Sequence, residues 1–429
     1  MSTDTDGYEG AAAPERVTPR ESPLSPEEIA EALRLHRPTA EQVRVVAGPA
    51  EPTLVVAGAG AGKTETMASR VVWLVANGLA HPSEVLGLTF TRKAAQQLSR
   101  RIRQRLDELA RSSLCAGSPG ARAIAEAIRT SDPQISTYHA YAGTLLGSYG
   151  LLVPVEPDSE LLSPTAVYQI AHEVVSRWES PLTTGAGPGY VTELVLALAG
   201  QLSEHLVGTD DLRAHPDDLS TLVATLHPGP RQKEEPTAWL RGVMDVQELR
   251  EELADIVDAV DARMRAEGAL DYGSQMSLAA RIARDHPSVG EAERRTARVV
   301  LLDEYQDTGH SQRVLLSSLF GGGVEPVPAV TAVGDPMQSI YGRGPAPAVD
   351  RPHAVDLRLA RGLGGQPRPL PHRLPDARRP AGPRARARDL VAQPAGGASA
   401  GQPGHRAAAR VRGRRPGARA ASATGRGAG

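Results

Sequence analysis

The residue types in segment 54–64, which reads LVVAGAGAGKT, suit the binding of phosphate. Backbone N–H groups must close around phosphate oxygens, so we expect positive φ and no obstructing Cβ at Gly58, Gly60 and Gly62. The ammonium of Lys63 then reaches the β- and γ-phosphates, and the Thr64 hydroxyl is a ligand for Mg²⁺. We therefore interpret the segment as a nucleotide-binding loop made of Ala57, Gly58, Ala59, Gly60, Ala61, Gly62, Lys63 and Thr64.

Two features of this loop bear on that interpretation. The G-x-x-x-x-G-K-[ST] pattern has glycine at its first position, where this chain has Ala57. The chain also has only three lysines, at positions 63, 93 and 233, and otherwise uses arginine. A compact ammonium fits a phosphate cradle and a planar guanidinium does not, which is a physical reason for lysine at position 63. The alternative is a Gly/Ala-rich turn in a core.

A second segment, VVLLDEYQDT at 299–308, carries adjacent acids after an apolar run. Phosphoryl transfer needs a carboxylate that holds the metal and a group that orients the attacking water. A buried strand would deliver Asp303 to the edge of a sheet, where it is the expected Mg²⁺ ligand. Glu304 beside it is then the expected general base. The alternative is a solvated acidic turn after a core strand.

Strands alternate with helices around both motifs, which predicts an α/β fold with a parallel sheet. Two residues have the positions of helix N-caps. They are Ser25, with Glu28 at the capping-box position three residues later, and Thr39. Ligands of such sheets bind at the carboxyl ends of the strands. The predicted strands are 54–56, 85–90, 298–302 and 329–333, and the predicted helices after the first two strands are 63–76 and 93–109.

The pattern changes to helices between about 155 and 285, which predicts an inserted helical subdomain. We expect a disordered N-terminus at 1–24, a first part of the α/β domain at 25–150 and its second part at 291–342, with the insertion at 151–290. From 343 to 429 the chain has about 18 Arg against 4 Asp and is crowded with Pro, Ala and Gly, which predicts a disordered basic tail.

Composition narrows the class of protein further. The net charge of −2 is the sum of a basic tail and a clearly acidic first part. An acidic surface does not attract DNA as a whole, so we expect any DNA contact to be confined to a groove with its own basic and aromatic groups. The single Cys115 excludes an internal disulfide framework, so we expect a reducing cytoplasm. The acidic start is unlike a signal peptide, and the longest apolar stretches are too short to span a bilayer, so we expect no membrane partner.

Four further motifs accompany the loop in order: TFTRKAA at 89–95, STYHAY at 136–141, LLDEYQDT at 301–308 and VGDPMQSIY at 333–341. Residues 30–342 thereby resemble the superfamily 1 DNA helicases of the UvrD/Rep/RecB type. The resemblance implies that 25–150 and 291–342 form a P-loop, RecA-like ATP-binding domain. This family commonly has alanine where the chain has Ala57. TFTRKAA and SPEEIA look most like the actinobacterial RecB-like, Adn-type helicase-nuclease subunits.

The resemblance implies an ATP- and Mg²⁺-dependent helicase of DNA repair or recombination, with 3′-to-5′ polarity, that acts on single-stranded and duplex DNA. A partner helicase-nuclease subunit is implied for the full-length family. Gln42 would contact adenine and Gln338 would sense the γ-phosphate. Alternatives are a core role for Phe90, a structural role for His139 and burial for Tyr341. The implied single-strand path comprises Phe90, Thr91, Arg92, Thr137, His139 and Tyr341, whose ring would stack on a base.

The resemblance stops after Gly342, where the family continues with Trp-Arg-Gly-Ala and a second RecA-like domain. This chain instead continues RGPAPAVD. We interpret residues 343–429 as the product of a frameshifted or truncated reading frame, and the alternative is a native basic tail. Because the family's second domain supplies arginines to the ATP site, we expect no unwinding by this chain alone. Asp271-Tyr272 resembles a minor family motif and is left without a role.

Overall fold

Parallel strands form the main sheet in a computed structural model of the chain, which describes residues 18–58, 60–153, 155–156, 159–214, 218–225, 236–321, 326–339 and 353–356. All of them belong to one unit, Met1–Leu363. The predicted tail, apart from 353–356, and most of the predicted disordered N-terminus lie outside the described residues, as do Ala59 and Tyr341.

The order of the strands in the six-stranded sheet is β3-β2-β6-β7-β1-β8, and every pairing is parallel. A separate pair, β4 with β5, is also parallel. Parallel strands end at one edge of a sheet, so this order decides which loops become neighbours. The strands are β1 Thr53–Val56, β2 Val85–Thr89, β3 Gln134–Thr137, β4 Glu160–Leu161, β5 Ala269–Leu270, β6 Val299–Leu302, β7 Ala329–Gly334 and β8 His353–Asp356.

Helices connect these strands and make up most of the segment between β3 and β6. Residues 272–296, before β6, form two of them. The described helices are α1 Pro26–Ala32, α2 Ala40–Val46, α3 Lys63–Ala76, α4 Arg92–Arg111, α5 Pro119–Thr130, α6 Tyr138–Tyr149, α7 Pro164–Ser176, α8 Pro188–His205, α9 Thr209–Ala214, α10 Asp218–Thr225, α11 Ala238–Ala266, α12 Tyr272–Asp285, α13 Pro287–Thr296 and α14 His310–Phe320.

The main sheet has an apolar core on each face. All four residues of β6 are buried, as expected for a parallel strand covered on both sides. Val299 and Leu301 pack into a core with residues of α1 to α5. Val300 and Leu302 pack into a second core with residues of α6, α12, α13 and α14. The fold is therefore a three-layer α/β structure, and the predicted fold class is confirmed.

A third apolar cluster belongs to the helical segment inserted between β3 and β6. It joins residues of α7, α8 and α11, among them Val195, Ile256 and Val257. Helix α12 instead contributes Met276, Ala279 and neighbouring residues to the second core of the sheet. The boundary of the insertion at 290 stays a prediction, and the packing groups α12 with the sheet rather than with α11.

Helix starts were predicted closely because capping is a local interaction. At α1, the Ser25 N–H donates to the Glu28 carboxylate at 2.7 Å, and the Glu28 N–H donates to the Ser25 hydroxyl at 3.2 Å. At α2, Thr39 and Gln42 form the same reciprocal pair. Helix α3 has the predicted limits, whereas β2 ends one residue earlier than predicted, at Thr89. Strand β3 was not predicted.

None of the described helices has the length and apolar character needed to cross a membrane.

We expect Ile256→Ala to lower the free energy of unfolding by about 2–5 kcal/mol, because it opens a cavity in the insertion's core. Ile256 is 0% exposed. Val246→Ala is the matched control on the same helix, since Val246 is 49% exposed and its truncation should change stability by less than about 0.5 kcal/mol. Urea unfolding followed by circular dichroism measures both, and equal effects would contradict a packed core at α7, α8 and α11.

Candidate nucleotide and nucleic-acid site

The phosphate loop begins where β1 ends. The Ala57 N–H donates to the Gly334 carbonyl at 3.0 Å, so the loop starts against the neighbouring strand β7. Gly60 and Gly62 have positive φ, at 74° and 79°, and a Cβ on Gly60 would meet nothing within 4 Å. Gly62 is also the N-cap of the 14-residue helix α3. The open loop and the helix N-terminus together fit phosphate oxygens.

One expectation for this loop is wrong. Gly58 does not have positive φ, in contrast to Gly60 and Gly62. A Cβ at Gly58 would lie 3.9 Å from Oδ2 of Asp335, which is an ordinary van der Waals contact. The loop therefore passes close to the end of β7 at this residue.

Lys63, on the first turn of α3, forms an ion pair across the sheet edge. Its Nζ lies 3.1 Å from Oε2 of Glu304, and 12% of the lysine side chain is exposed. The same carboxylate oxygen accepts a hydrogen bond from Nε2 of Gln306 at 2.7 Å. The expected phosphate-binding cation and the expected general base are thus in direct contact.

Asp303 follows the last residue of β6 and is buried. Burial raises the pKa of its carboxyl to about 6, and the charge of Glu304 adds to this, whereas the Glu304 N–H and the Lys63 ammonium act against it. The Glu304 N–H donates to Oδ1 of Asp303 at 3.0 Å. A divalent cation would stabilise the ionised form of such a carboxylate.

The residues present fit an Mg²⁺ ion with a triphosphate. Hard oxygen donors are the ligands that Mg²⁺ prefers, and it is bound through one or two carboxylates together with phosphates. Thr64 follows Lys63 in the first turn of α3, so its hydroxyl belongs to the helix N-terminus next to the phosphate loop. Asp303 and Thr64 would hold the metal, whose positive charge would screen the phosphates.

Glu304 has a left-handed backbone, with φ 50° and ψ 41°. Such a conformation is uncommon for a residue with a Cβ and recurs at active sites. Here it turns the chain sharply after the buried Asp303. The turn brings the Glu304 side chain back over the loop, where it meets Lys63.

Two residues without an assigned role connect β6 to β7. Oε1 of Gln306 accepts the Asp335 N–H at 2.9 Å, and a Cβ at Gly334 would lie 2.6 Å from that oxygen. Only glycine permits this approach. Asp335 in turn accepts hydrogen bonds from the Met337 N–H and from Nε2 of Gln338. The exposed Gln338 is therefore held close to the phosphate loop.

A cleft of about 380 Å³ opens beside the loop between α1, α2 and α3. Apolar groups of Ile29, Val72 and Trp73 line it together with the amide of Gln42. Oε1 of Gln42 accepts the Thr39 N–H at 3.0 Å, which leaves that oxygen a second lone pair. Nε2 lies 3.1 Å from the position of a Cβ on Gly62, so the amide adjoins the phosphate loop.

The predicted DNA-contacting residues follow the adjacent strands β2 and β3, whose last residues, Thr89 and Thr137, are paired. Thr91 caps α4 by accepting the Ala94 N–H, and Thr137 caps α6 in the same way. Arg92 is exposed. Two helix N-termini and an arginine therefore lie at one end of the sheet, an arrangement that suits phosphate.

Tyr138 joins this end of the sheet to the acidic strand. Its hydroxyl donates to the Asp303 carbonyl at 3.2 Å, and its ring lies edge-on to Phe90 with the centroids 6.2 Å apart. Phe90 is partly buried against the second core, so the alternative of a core role holds at least in part. Tyr138 thus contacts both Phe90, a predicted DNA-contacting residue, and the backbone of Asp303, a residue of the carboxylate site.

His139 is half-buried, and burial lowers the pKa of its imidazole, while Glu204 opposes that shift. Its ring lies edge-on to Tyr272, with the centroids 5.8 Å apart, and Tyr272 is 41% exposed. Asp271 caps α12 by accepting the Ser274 N–H. The segment left without a role thus brings an exposed aromatic ring to His139.

The structure brings together most of the predicted site. Sequence reasoning missed Gln306, Asp335, Tyr138 and Tyr272 as members of it. The first three lie inside the motifs that were recognised, beside residues given roles, so their positions were a signal that could have been used. Their partners could not be identified from the sequence, because each bond crosses between strands that are far apart along the chain.

The all-parallel sheet, the phosphate loop and the strand-borne acids define a P-loop nucleotide-binding protein of the RecA-like type. Residues 38–346 match the UvrD/REP helicase N-terminal domain, and the chain belongs to this family.

Curated helicases are similar to this chain over the same region. The ATP-dependent DNA helicase UvrD1 of Mycobacterium leprae is 27% identical over 307 residues, 70% of this chain and 33% of UvrD1. DNA helicase IV of Escherichia coli is 27% identical, over 70% of this chain and 40% of its own length. UvrD2 of Mycobacterium tuberculosis is 28% identical, over 76% and 41%. The chain thus spans less than half the length of these relatives.

We expect Glu304→Gln to tighten the binding of Mg²⁺-ATP by about threefold to tenfold, because it removes a negative charge that competes with phosphate for Lys63. Glu126→Gln is the control, since Glu126 is an exposed residue of α5 paired with Arg129. Isothermal titration calorimetry gives both dissociation constants. Weaker binding by Glu304→Gln would contradict the arrangement described for Lys63.

Proposed function

We propose that this chain is the ATP-binding motor domain of a DNA helicase, and that it couples nucleotide binding at one part of the sheet edge to DNA binding at another. The observation that carries the proposal is the convergence of the phosphate loop, Asp303-Glu304 and Gln338 at the ends of β1, β6 and β7. Membership of the UvrD/REP family supports the same function.

Each nucleotide contact in the proposal rests on a particular geometry. Gly60 and Gly62 leave backbone N–H groups open to phosphate, and Lys63 would exchange Glu304 for phosphate oxygens. Asp303 and Thr64 would hold Mg²⁺, and Glu304 would then be free to orient water. Gln42 would meet the adenine edge, because its amide lies at the mouth of the apolar cleft next to Gly62.

The DNA part of the proposal uses the neighbouring strands. Arg92 and the N-termini of α4 and α6 would bind the backbone of a single strand, and His139 with Tyr272 would offer an aromatic edge to its bases. The Tyr138 hydroxyl on the Asp303 carbonyl supports coupling, since a shift of either segment changes that contact.

A binding module without turnover is the second candidate, and one observation favours it. Lys63, the expected phosphate-binding cation, and Glu304, the expected general base, are engaged with each other in an ion pair. In the helicases that the motifs resemble, a second domain supplies arginines to the ATP site, and arginines that contact the transferring phosphoryl group contribute about 10³ to 10⁵ in rate. We therefore expect slow hydrolysis and no sustained unwinding when this chain is assayed alone.

The proposal also covers the location, polarity, pathway and partner of the protein. We propose a cytoplasmic location, 3′-to-5′ polarity, and a role in repair or recombination. We further propose kinship to the Adn-type helicase-nuclease subunits and a partner subunit of that kind. The reading-frame hypothesis for residues 343–429 stays a prediction too, and translation of the downstream DNA in all frames tests it. Absence of Trp-Arg-Gly-Ala from those frames would count against it.

We expect Lys63→Ala to weaken binding of a fluorescent ATP analogue with Mg²⁺ by at least about tenfold, the effect of losing a charge-assisted hydrogen bond to phosphate. Arg129→Ala is the control, because Arg129 is exposed on α5 and pairs with Glu126. The same proteins are assayed for hydrolysis with and without single-stranded DNA. DNA-stimulated turnover that Lys63→Ala abolishes supports the enzyme, binding without turnover supports the module, and unchanged binding contradicts both.

We expect Arg92→Ala to weaken binding of single-stranded DNA and to lower the slope of log affinity against log salt by about 0.7, the value for one phosphate contact. Arg111→Ala is the matched control at the other end of the same helix, with 76% of its side chain exposed. Fluorescence anisotropy over a series of salt concentrations measures both variants. Equal losses for the two arginines would show that α4 attracts DNA without a defined path at its N-terminus.

A further inference from the structure

Arg70 is a charged residue in the interior of the protein. It lies on α3, about two turns after Lys63, and is 1% exposed. Burial lowers the pKa of its guanidinium to about 10, which leaves it protonated at neutral pH. No carboxylate pairs with it in the part of the chain that the structure describes. A buried charge without a counter-ion raises the free energy of the folded state, so hydrogen bonds from the protein must stabilise it.

The guanidinium donates hydrogen bonds to several carbonyl oxygens at the end of α2. Nη1 donates to the carbonyls of Val45 at 2.7 Å, Gly48 at 3.1 Å and Val46 at 3.3 Å, and Nη2 donates to that of Pro49 at 2.8 Å. The last carbonyls of a helix have no partner within the helix and carry its negative partial charge. One cation therefore binds four carbonyls at and just beyond the end of the helix, of which that of Val45 also accepts the Gly48 N–H.

Gly48 lies beside these contacts. A Cβ at this position would lie 3.0 Å from the Arg44 carbonyl, which is tight, and 3.5 Å from Nη1 of Arg70, which is an ordinary contact. The glycine therefore relieves crowding within the end of α2 next to the guanidinium.

Helix α2 carries Gln42, the residue that the proposed function assigns to adenine. The helix is held at its start by the capping box of Thr39 and Gln42, and at its end by Arg70. Because Arg70 and Lys63 are on the same rigid helix, the guanidinium sets the distance from the Gln42 amide to the phosphate loop. The apolar contacts of Val45 with α3 lack this directionality.

We propose that Arg70 is a positioning residue for the nucleotide base: it ties the adenine-facing helix α2 to the phosphate-binding helix α3 and thereby sets selectivity for ATP. This inference rests on the proposed function, in which ATP binds at the loop and Gln42 meets its base. Phosphate affinity belongs to Lys63 and the loop and is independent of Arg70.

The test compares Mg²⁺-ATP with Mg²⁺-tripolyphosphate, which has the phosphates without the base, by isothermal titration calorimetry on the full chain. We expect the native protein to bind ATP at least about tenfold more tightly than tripolyphosphate, the range of one well-formed amide contact to a base. In Arg70→Met this ratio should fall towards one, while the dissociation constant for tripolyphosphate changes by less than about twofold.

Arg294→Met is the matched control. Arg294 is also buried, at 5% exposed, and its Nη1 donates to the Leu319 carbonyl at 2.7 Å on the opposite face of the sheet. Its loss should lower the melting temperature and leave the ratio of the two affinities unchanged. Arg70→Lys is the second variant, since it keeps the charge without the fork that reaches several carbonyls, and we expect an intermediate ratio.

The outcomes separate the two proposals. If the native chain binds neither ligand, the proposed function fails. If it binds ATP and Arg70→Met or Arg70→Lys keeps the native ratio, or loses both ligands equally, Arg70 does not position the base. Failure of both Arg70 variants to fold overturns the inference as well, because the residue would then serve the fold as a whole.

Discussion

The parallel sheet determines where each chemical group of this protein lies. All strands of the main sheet run the same way, so their carboxyl ends meet at one edge. The order β3-β2-β6-β7-β1 puts β6 between the strands that end in the DNA motifs and those that end at the phosphate loop. Asp303 and Glu304 leave β6 at that central position. A site assembled from distant parts of the chain follows from this one constraint.

Charges at this edge are arranged around a small number of short contacts. Lys63 meets Glu304, Gln306 holds Glu304, and Asp335 holds Gln338. Burial raises the pKa of Asp303, which makes it a group whose ionisation a metal would favour. On the other side of the loop, Arg70 supplies a buried positive charge to the end of α2. The phosphate and base parts of the site thus share α3 as their common support.

Local signals in the sequence were sufficient for several elements. The capping boxes at Ser25 and Thr39 and the limits of α3 were predicted, because caps and loop glycines depend on residues within one turn. Strand β3 was missed, since Gln134–Thr137 is short and none of it is fully buried. The positive φ expected at Gly58 was wrong, because the loop leaves β1 beside Gly334 of β7 and adopts positive φ only at Gly60 and Gly62.

The sequence by itself determined the family, the phosphate loop and the acids of β6, because each of these is written in a run of adjacent residues whose chemistry does not depend on distant partners. The tertiary structure alone decided the ion pair between Lys63 and Glu304 and the hydrogen bond from the Tyr138 hydroxyl to the Asp303 carbonyl. It also decided that the Arg70 guanidinium donates hydrogen bonds to carbonyls at the end of α2. Those contacts join segments far apart along the chain, and only the packing of helices on a sheet with this strand order brings them within hydrogen-bonding distance.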